Sequence, residues 1–116
     1  MLKKLLGAAA VLATFCMPAN AEGRALASWY GPGFHGNLTA SGSVYNMYDI
    51  SVAHKTLPFG TLVRLCNPSN HQCVVAPVTD RGPYIDGRTF DLSMGAAQAI
   101  GMLEQGVIEV DYECLN

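Results

Sequence analysis

The clearest hydrophobic and polar pattern lies at the C-terminal end of the chain. Between Val107 and Cys114, apolar and acidic side chains alternate with a period of two. In an extended chain, this period places the two kinds of side chain on opposite faces. The segment is therefore predicted to be a half-buried strand that ends the domain.

Three more segments have the composition of strands. Ala25 to Tyr30 is short and apolar-aromatic, while residues 61–66 and 73–78 are rich in aliphatic side chains and flank the turn-rich segment 67–72. The latter two segments predict a hairpin. Pro77 has no N–H to donate to a ladder, so an edge or a bulge is predicted at that position.

One segment has the pattern of a helix. Met94 to Met102 contains three alanines, Ser93 is suited to cap its N-terminus, and Gly101 is suited to end it. The remaining connections are long and rich in glycine. Five or six short strands with one short helix predict a mainly β protein, a small closed barrel whose topology the pattern alone does not give.

The first 21 residues have the pattern of a secretory signal peptide. Lys3 and Lys4 precede an apolar run that ends at Met17, and Ala19-Asn20-Ala21 fits a cleavage site. An uncleaved anchor and a lipid attached at Cys16 are the alternatives, and the bulky Phe15 argues against the lipid. We therefore expect an exported domain over residues 22–116, in the periplasm or outside the cell, with no stable membrane insertion after cleavage.

The charge of the predicted domain limits its partners. Without Lys3 and Lys4, five basic and nine acidic residues remain, a formal charge of −4. Nucleic-acid binding needs a basic face, so nucleic acid is not an expected partner. A neutral polymer such as a glycan is compatible with this charge. We expect a monomer that uses no cofactor.

Three cysteines follow residue 21, and export makes a disulfide plausible. Three pairings are possible. Cys66 and Cys73 flank the predicted hairpin turn and are the preferred pair. Cys114 would then be a free thiol or would pair with another molecule. A metal site is not expected, because the hairpin cysteines and His71 lack a fourth ligand at the usual zinc spacing.

Candidate chemistry is concentrated around a loop that follows a strand-like run. Asp80 ends that run, and Asp91 follows eleven residues later, with Arg81, Tyr84 and Arg88 between them. The two carboxylates suggest acid–base chemistry on a loop held by rigid elements. Structural roles are open for each residue: Asp80 as a turn cap, Asp91 as support for the helix N-terminus, and the arginines as ion-pair partners.

Five ordered blocks between residues 25 and 114 carry a family likeness. They are Ala27-Ser28-Trp29-Tyr30-Gly31, Thr39-Ala40-Ser41-Gly42, Ala53-His54-Lys55-Thr56-Leu57-Pro58-Phe59-Gly60-Thr61, Asp80-Arg81-Gly82-Pro83-Tyr84 and Asp91-Leu92-Ser93. With them the chain resembles the rare lipoprotein A family of bacterial envelope proteins. The resemblance implies a six-stranded double-psi β-barrel, a fold shared with expansins and family 45 endoglucanases. It also implies a lytic transglycosylase that cleaves peptidoglycan glycan strands.

The resemblance also implies roles for individual residues. The family's active-site Asp and His match Asp80 and His54, and the Asp that is essential in expansin-like relatives matches Asp91. A further family Glu falls at Ser43, which cannot act as an acid but could bond a sugar hydroxyl. The other substrate contacts expected are Trp29 and Tyr30, which stack on sugars or belong to the core, together with Arg81 and Tyr84.

A lytic transglycosylase needs only one acid/base carboxyl, whereas hydrolysis canonically needs two. Asp80 is the expected lead acid/base, with His54 and Asp91 in the same groove. The rival interpretation is a non-catalytic, expansin-like glycan binder, which the Ser43 departure favours. A third is a small disulfide-stapled interaction protein, which a free Cys114 would favour.

Overall fold

The computed structural model describes residues 22–116, so the predicted signal peptide and its alternatives lie outside the described residues. A short 3₁₀ turn at Pro32–Phe34 follows the first strand. The strands and the helix are β1 (Glu22–Tyr30), β2 (Val52–Ala53), β3 (Leu62–Asn67), β4 (Gln72–Asp80), β5 (Arg88–Ser93), α1 (Met94–Ala99) and β6 (Val107–Cys114).

The six strands close into a barrel in the order β1-β5-β2-β4-β3-β6. Two pairs are parallel, β1 with β5 and β2 with β4, and the other four are antiparallel. This mixed barrel with a single short helix is the double-psi β-barrel that the resemblance implied. Closure leaves no strand of the described barrel with an open edge.

The core fills the inside of the barrel and the contact between the barrel and α1. Its largest fully buried apolar side chains are Phe90, Leu65, Leu92, Ile100 and Met102. On β5, Phe90 and Leu92 project into this core, while Asp91 between them projects to the other face. The same alternation that builds the core therefore presents Asp91 outside it.

The sequence predicted most of these elements. The strand at 107–114 and the hairpin of β3 and β4 are confirmed. The helix begins as predicted, since the Ser93 hydroxyl accepts from the Ala96 N–H, but it ends at Ala99. Two strands were not predicted: β2 has only two residues, and β5 has too short an apolar pattern.

Pro77 lies inside β4, opposite Leu62 of β3. The N–H of the next residue, Val78, points toward β3 and donates to the Thr61 carbonyl. The nitrogen of Pro77 therefore faces the other side, where pairing with β2 begins only at Val78. The chain tolerates proline here because that side is locally unpaired, as at an edge.

The Cys66–Cys73 disulfide is present and joins opposite residues of the hairpin. The expectation of a free thiol at Cys114 is wrong, because Cys114 is disulfide-bonded and residues 22–116 contain no free cysteine. The interaction-protein interpretation thereby loses the feature that favoured it. No helix within residues 22–116 is long and apolar enough to cross a membrane.

Candidate active site

The short strand β2 brings the two candidate carboxylates together. Ala53 is the register partner of Asp80 on one side and of Asp91 on the other. Neighbouring strands are about 4.8 Å apart, so the Cα atoms of Asp80 and Asp91 are about 10 Å apart. Side chains in register on adjacent strands project to the same face. Asp80 and Asp91, which are eleven residues apart in sequence, therefore share one surface.

That surface is the floor of an open cavity of about 320 Å³. Asp80, Asp91 and Ala53 are among its lining residues, and the loop from Arg81 to Ile85 forms part of its wall. Gly82 in this loop has φ of 123°, a conformation that favours glycine. The remaining lining residues are Tyr30, Phe34, Asn37, Leu38 and Tyr45. Apolar and aromatic walls around two acids are suited to a sugar ring with a polar edge.

Asp80 is fixed by backbone donors. Its Oδ1 accepts from the N–H of Ala40 at 2.9 Å and from its own neighbour Arg81 at 2.9 Å. The first bond ties the 39–43 turn to the end of β4. Among the described residues, no donor is bonded to Oδ2. Asp80 therefore has one oxygen that anchors the site and one that is available to a ligand.

The environment of the site shifts the pKa of Asp91 strongly. Burial raises its pKa to about 6, and the charge of Asp80 adds to this, while a hydrogen bond from Ser28 and the charge of Arg88 oppose it. The Ser28 hydroxyl donates to Asp91 Oδ1 at 3.2 Å. A carboxyl with a pKa near 6 can both give and take a proton close to neutral pH. The helix N-terminus is capped by Ser93 instead.

His54 follows Ala53 directly, at the edge of this arrangement. Its backbone N–H donates to the Asp80 carbonyl, and its ring lies 5.2 Å from the ring of Phe90. It is not one of the residues that line the 320 Å³ cavity. Burial and the nearby cations Arg81 and Lys55 lower its pKa. The imidazole is therefore held neutral at physiological pH.

The two candidate arginines lie on either side of the loop. The guanidinium of Arg81 donates to the carbonyls of His54 and Leu57 and stacks 3.9 Å from the ring centre of Phe59. Neither Arg81 nor Arg88 forms an ion pair within residues 22–116; the pairs found there are Arg24–Asp111 and Arg64–Glu113. Arg81 therefore lines the cavity, but its Nη1 donates to carbonyls of the protein.

Of the two predicted aromatic contacts on β1, only Tyr30 faces the cavity. One face of its ring stacks on Tyr45 with ring centres 4.3 Å apart, and Phe34 packs against it edge-on. Trp29 packs against the core, and its indole N–H donates to the Leu103 carbonyl. Since side chains on a strand alternate, the two neighbours cannot both reach the cavity.

Tyr84 and Ser43 line two different cavities. Tyr84 is 75% exposed on the cavity rim, where its ring is open to a ligand. Ser43 lines a neighbouring cavity of about 250 Å³, whose wall also includes Tyr45. Its hydroxyl is within hydrogen-bond distance of the hydroxyls of Thr39 and Ser41.

The sequence interpretation missed two residues that shape the site. Tyr45 is buried; its hydroxyl donates to the Tyr30 carbonyl and accepts from the Met94 N–H, so it connects β1 to α1. Ser28 holds Asp91. Tyr45 lies in an irregular loop that carries no periodic signal. Ser28 could have been found only from the register of β1 with β5. Residues 22–116 contain no cluster of three or more metal-ligating side chains.

The pairing of the six strands defines the class of this domain as a double-psi β-barrel. The profile of the family described as lytic transglycolase matches residues 22–112, and the chain belongs to that family. The apo expansin of Clavibacter michiganensis shares the fold, with a TM-score of 0.65 and 22% identity over 83% of this chain and 51% of that one.

Two curated relatives support the same family. The probable endolytic peptidoglycan transglycosylase RlpA of a Synechocystis strain is 55% identical over 78% of this chain and 28% of its own length. The endolytic peptidoglycan transglycosylase RlpA of Campylobacter jejuni is 46% identical over 78% of this chain and 33% of its own length. The chain thus spans about a third or less of these two relatives.

Proposed function

We propose that the protein is an exported lytic transglycosylase that cleaves the glycan strands of peptidoglycan. The observation that carries the proposal is the pair Asp80 and Asp91, which flank Ala53 and line one open cavity. Family membership supports the reaction class. The names of the two relatives support peptidoglycan as the substrate.

The raised pKa of Asp91 suits it to carry the proton. Protonated Asp91 gives its proton to the glycosidic oxygen, the C1–O bond breaks, and the leaving sugar departs as an alcohol. Asp91, now a carboxylate, takes the proton from the 6-hydroxyl of the remaining sugar while that oxygen bonds to C1. A 1,6-anhydro ring forms, the acid is restored, and no water is consumed.

The carboxylate of Asp80 has a different part in this mechanism, which is to stabilise positive charge on the sugar. The sugar carries positive charge at C1 when the bond breaks, and an oriented carboxylate nearby stabilises that charge. Two backbone N–H groups fix Asp80 Oδ1 before substrate arrives, so its orientation requires no rearrangement during the reaction. The sequence-based assignment of Asp80 as lead acid/base stays a prediction. Burial of Asp91 favours the reverse distribution of roles, with Asp80 as the charge stabiliser.

Incubation of the purified protein with peptidoglycan sacculi tests the proposal. Soluble fragments that end in anhydro-sugars are expected, and both Asp80→Asn and Asp91→Asn should lose this release. The exposed loop variant Asp86→Asn is the matched control. Co-sedimentation with sacculi without any released sugar would support the expansin-like binder instead.

A further inference from the structure

Arg81 closes the turn that contains His54. Its Nη1 donates to the carbonyl of His54 at 3.2 Å and to that of Leu57 at 2.9 Å, so one nitrogen holds both ends of residues 54–57. The stack on Phe59 fixes the plane of the guanidinium from another direction. A planar, always-charged fork is suited to this kind of clamp, whereas a lysine ammonium is not planar and does not stack in the same way.

The closed turn determines how the imidazole of His54 is used. Its Nδ1 accepts from the backbone N–H of Thr56 at 3.1 Å and of Leu57 at 3.0 Å. A nitrogen that accepts from two donors carries a lone pair and no proton, so the proton of the neutral ring is on Nε2. Protonating Nδ1 would aim its new N–H at two other N–H groups.

The surroundings of His54 also oppose an imidazolium. The charged side chains that act on it are Arg81 and Lys55, both cationic. Asp80 approaches with its backbone carbonyl, which accepts from the His54 N–H, and Phe90 packs against the ring. No carboxylate among the described residues is bonded to the ring.

We propose that Arg81 is a positioning residue, which holds His54 as a neutral Nε2–H hydrogen-bond donor that exchanges no proton during catalysis. The catalytic part of this inference rests on the proposed transglycosylase function, whereas the tautomer is a property of the folded protein alone. The inference gives His54 no proton to transfer, which agrees with the assignment of both proton transfers to Asp91. It also explains why the donors of Arg81 are directed at the protein while it borders the cavity.

Nitrogen-15 NMR of the histidine side chains tests the tautomer without any substrate. In the wild-type protein, His54 should show a proton on Nε2 only, and it should become charged only at a pH below the ordinary imidazole pKa of 6.5, because its pKa is lowered. Arg81→Lys keeps the charge but loses the planar fork, and Arg81→Gln loses the charge. Both should give His54 a mixture of tautomers. Arg64→Lys, in an exposed ion pair, is the matched control and should leave the His54 signals unchanged.

Two results of this experiment would overturn the inference. One is a wild-type His54 with its proton on Nδ1 or with mixed tautomers. The other is an unchanged His54 in both folded Arg81 variants. Neither result involves cleavage. A protein that is inactive on sacculi would therefore refute the proposed function, whereas the NMR experiment would still test the tautomer of His54.

Cleavage assays test the catalytic part. Gln at position 54 can present an N–H at about the reach of Nε2, whereas Asn is shorter and cannot. His54→Gln should stay within about tenfold of wild type, while loss of a true general base costs about 10²–10⁴-fold. Arg81→Lys should cost at least about tenfold through misplacement of His54. Equal, severe loss in His54→Gln and His54→Asn would show that His54 exchanges a proton and would contradict the inference.

Discussion

Asp80 and Asp91 face one cavity from strands that are separated only by the two-residue strand β2. Backbone donors hold Asp80. Burial, opposed by the Ser28 hydroxyl and the charge of Arg88, raises the pKa of Asp91. Two carboxyls of the same type thus have different environments, which is the usual way in which a pair of acids divides its roles.

The pH dependence of cleavage should report Asp91. If protonated Asp91 is the general acid, kcat/KM should fall as pH rises through about 6, because burial places its pKa there. Ser28→Ala removes a hydrogen bond that lowers this pKa, so the falling limb should move to higher pH. The measurement is a pH profile on solubilised glycan strands, with Ser69→Ala in the hairpin turn as control. If the falling limb stays at the same pH in Ser28→Ala as in wild type, Asp91 is not the general acid that the profile reports.

The same carboxyl should reduce stability at neutral pH. The pKa of Asp91 is about 6 in the folded protein and exceeds the ordinary aspartate value of 3.8, so the folded state binds the proton more tightly. The contribution of the Asp91 proton to the free energy of unfolding is complete below pH 3.8. It decreases between pH 3.8 and about 6 and is lost above pH 6. Relative to wild type, Asp91→Asn should therefore gain about 1–3 kcal/mol in free energy of unfolding between pH 4 and pH 8. Urea unfolding at both pH values measures this, with Asp86→Asn as control; a gain independent of pH would refute it.

Gly95 should be intolerant of any side chain, because the loop at residues 47–49 packs directly on the helix. A Cβ there would lie 2.6 Å from the Tyr48 carbonyl oxygen and 2.9 Å from that of Asp49. Both obstacles are backbone, so Gly95→Ala should cost about 1–3 kcal/mol despite alanine's better helix propensity. Thermal unfolding checks this against Gln98→Ala, an exposed substitution on the same helix. Equal melting temperatures for the two variants would contradict the packing described.

The hairpin disulfide should affect stability and leave catalysis unchanged. Cys66 and Cys73 lie seven residues apart in sequence, near the turn between β3 and β4, while Asp80 lies at the other end of β4. The double variant Cys66→Ala/Cys73→Ala should lose about 2–3 kcal/mol of stability, since the cross-link restricts a short loop of the unfolded chain. Cleavage per folded molecule should stay the same at a temperature where both proteins are folded. A loss of kcat in the folded variant would show coupling between the hairpin and the site.

The sequence predicted the elements whose pattern is local. The period of two in β6, the turn between Cys66 and Cys73, and the serine that caps α1 all follow from neighbouring residues. The closed double-psi barrel came from the resemblance, since no local pattern specifies how β1 pairs with β5. The contact of Ser28 with Asp91 and the place of Ala53 between two acids depend on that register. Trp29 and Tyr30 show the same limit, because only the pairing decides which of the two faces the cavity.

Digestion of sacculi in water enriched in oxygen-18 tests the central claim most directly. If Asp91 takes the proton from the sugar's own 6-hydroxyl, the released fragments should end in anhydro-sugars and carry no heavy oxygen at the cleaved bond. Asp91→Asn should abolish their release, while Asp86→Asn should not. Fragments that carry oxygen-18 at a reducing end would show attack by water, and release that persists in Asp91→Asn would show that this carboxyl is not the acid; either result would contradict the account.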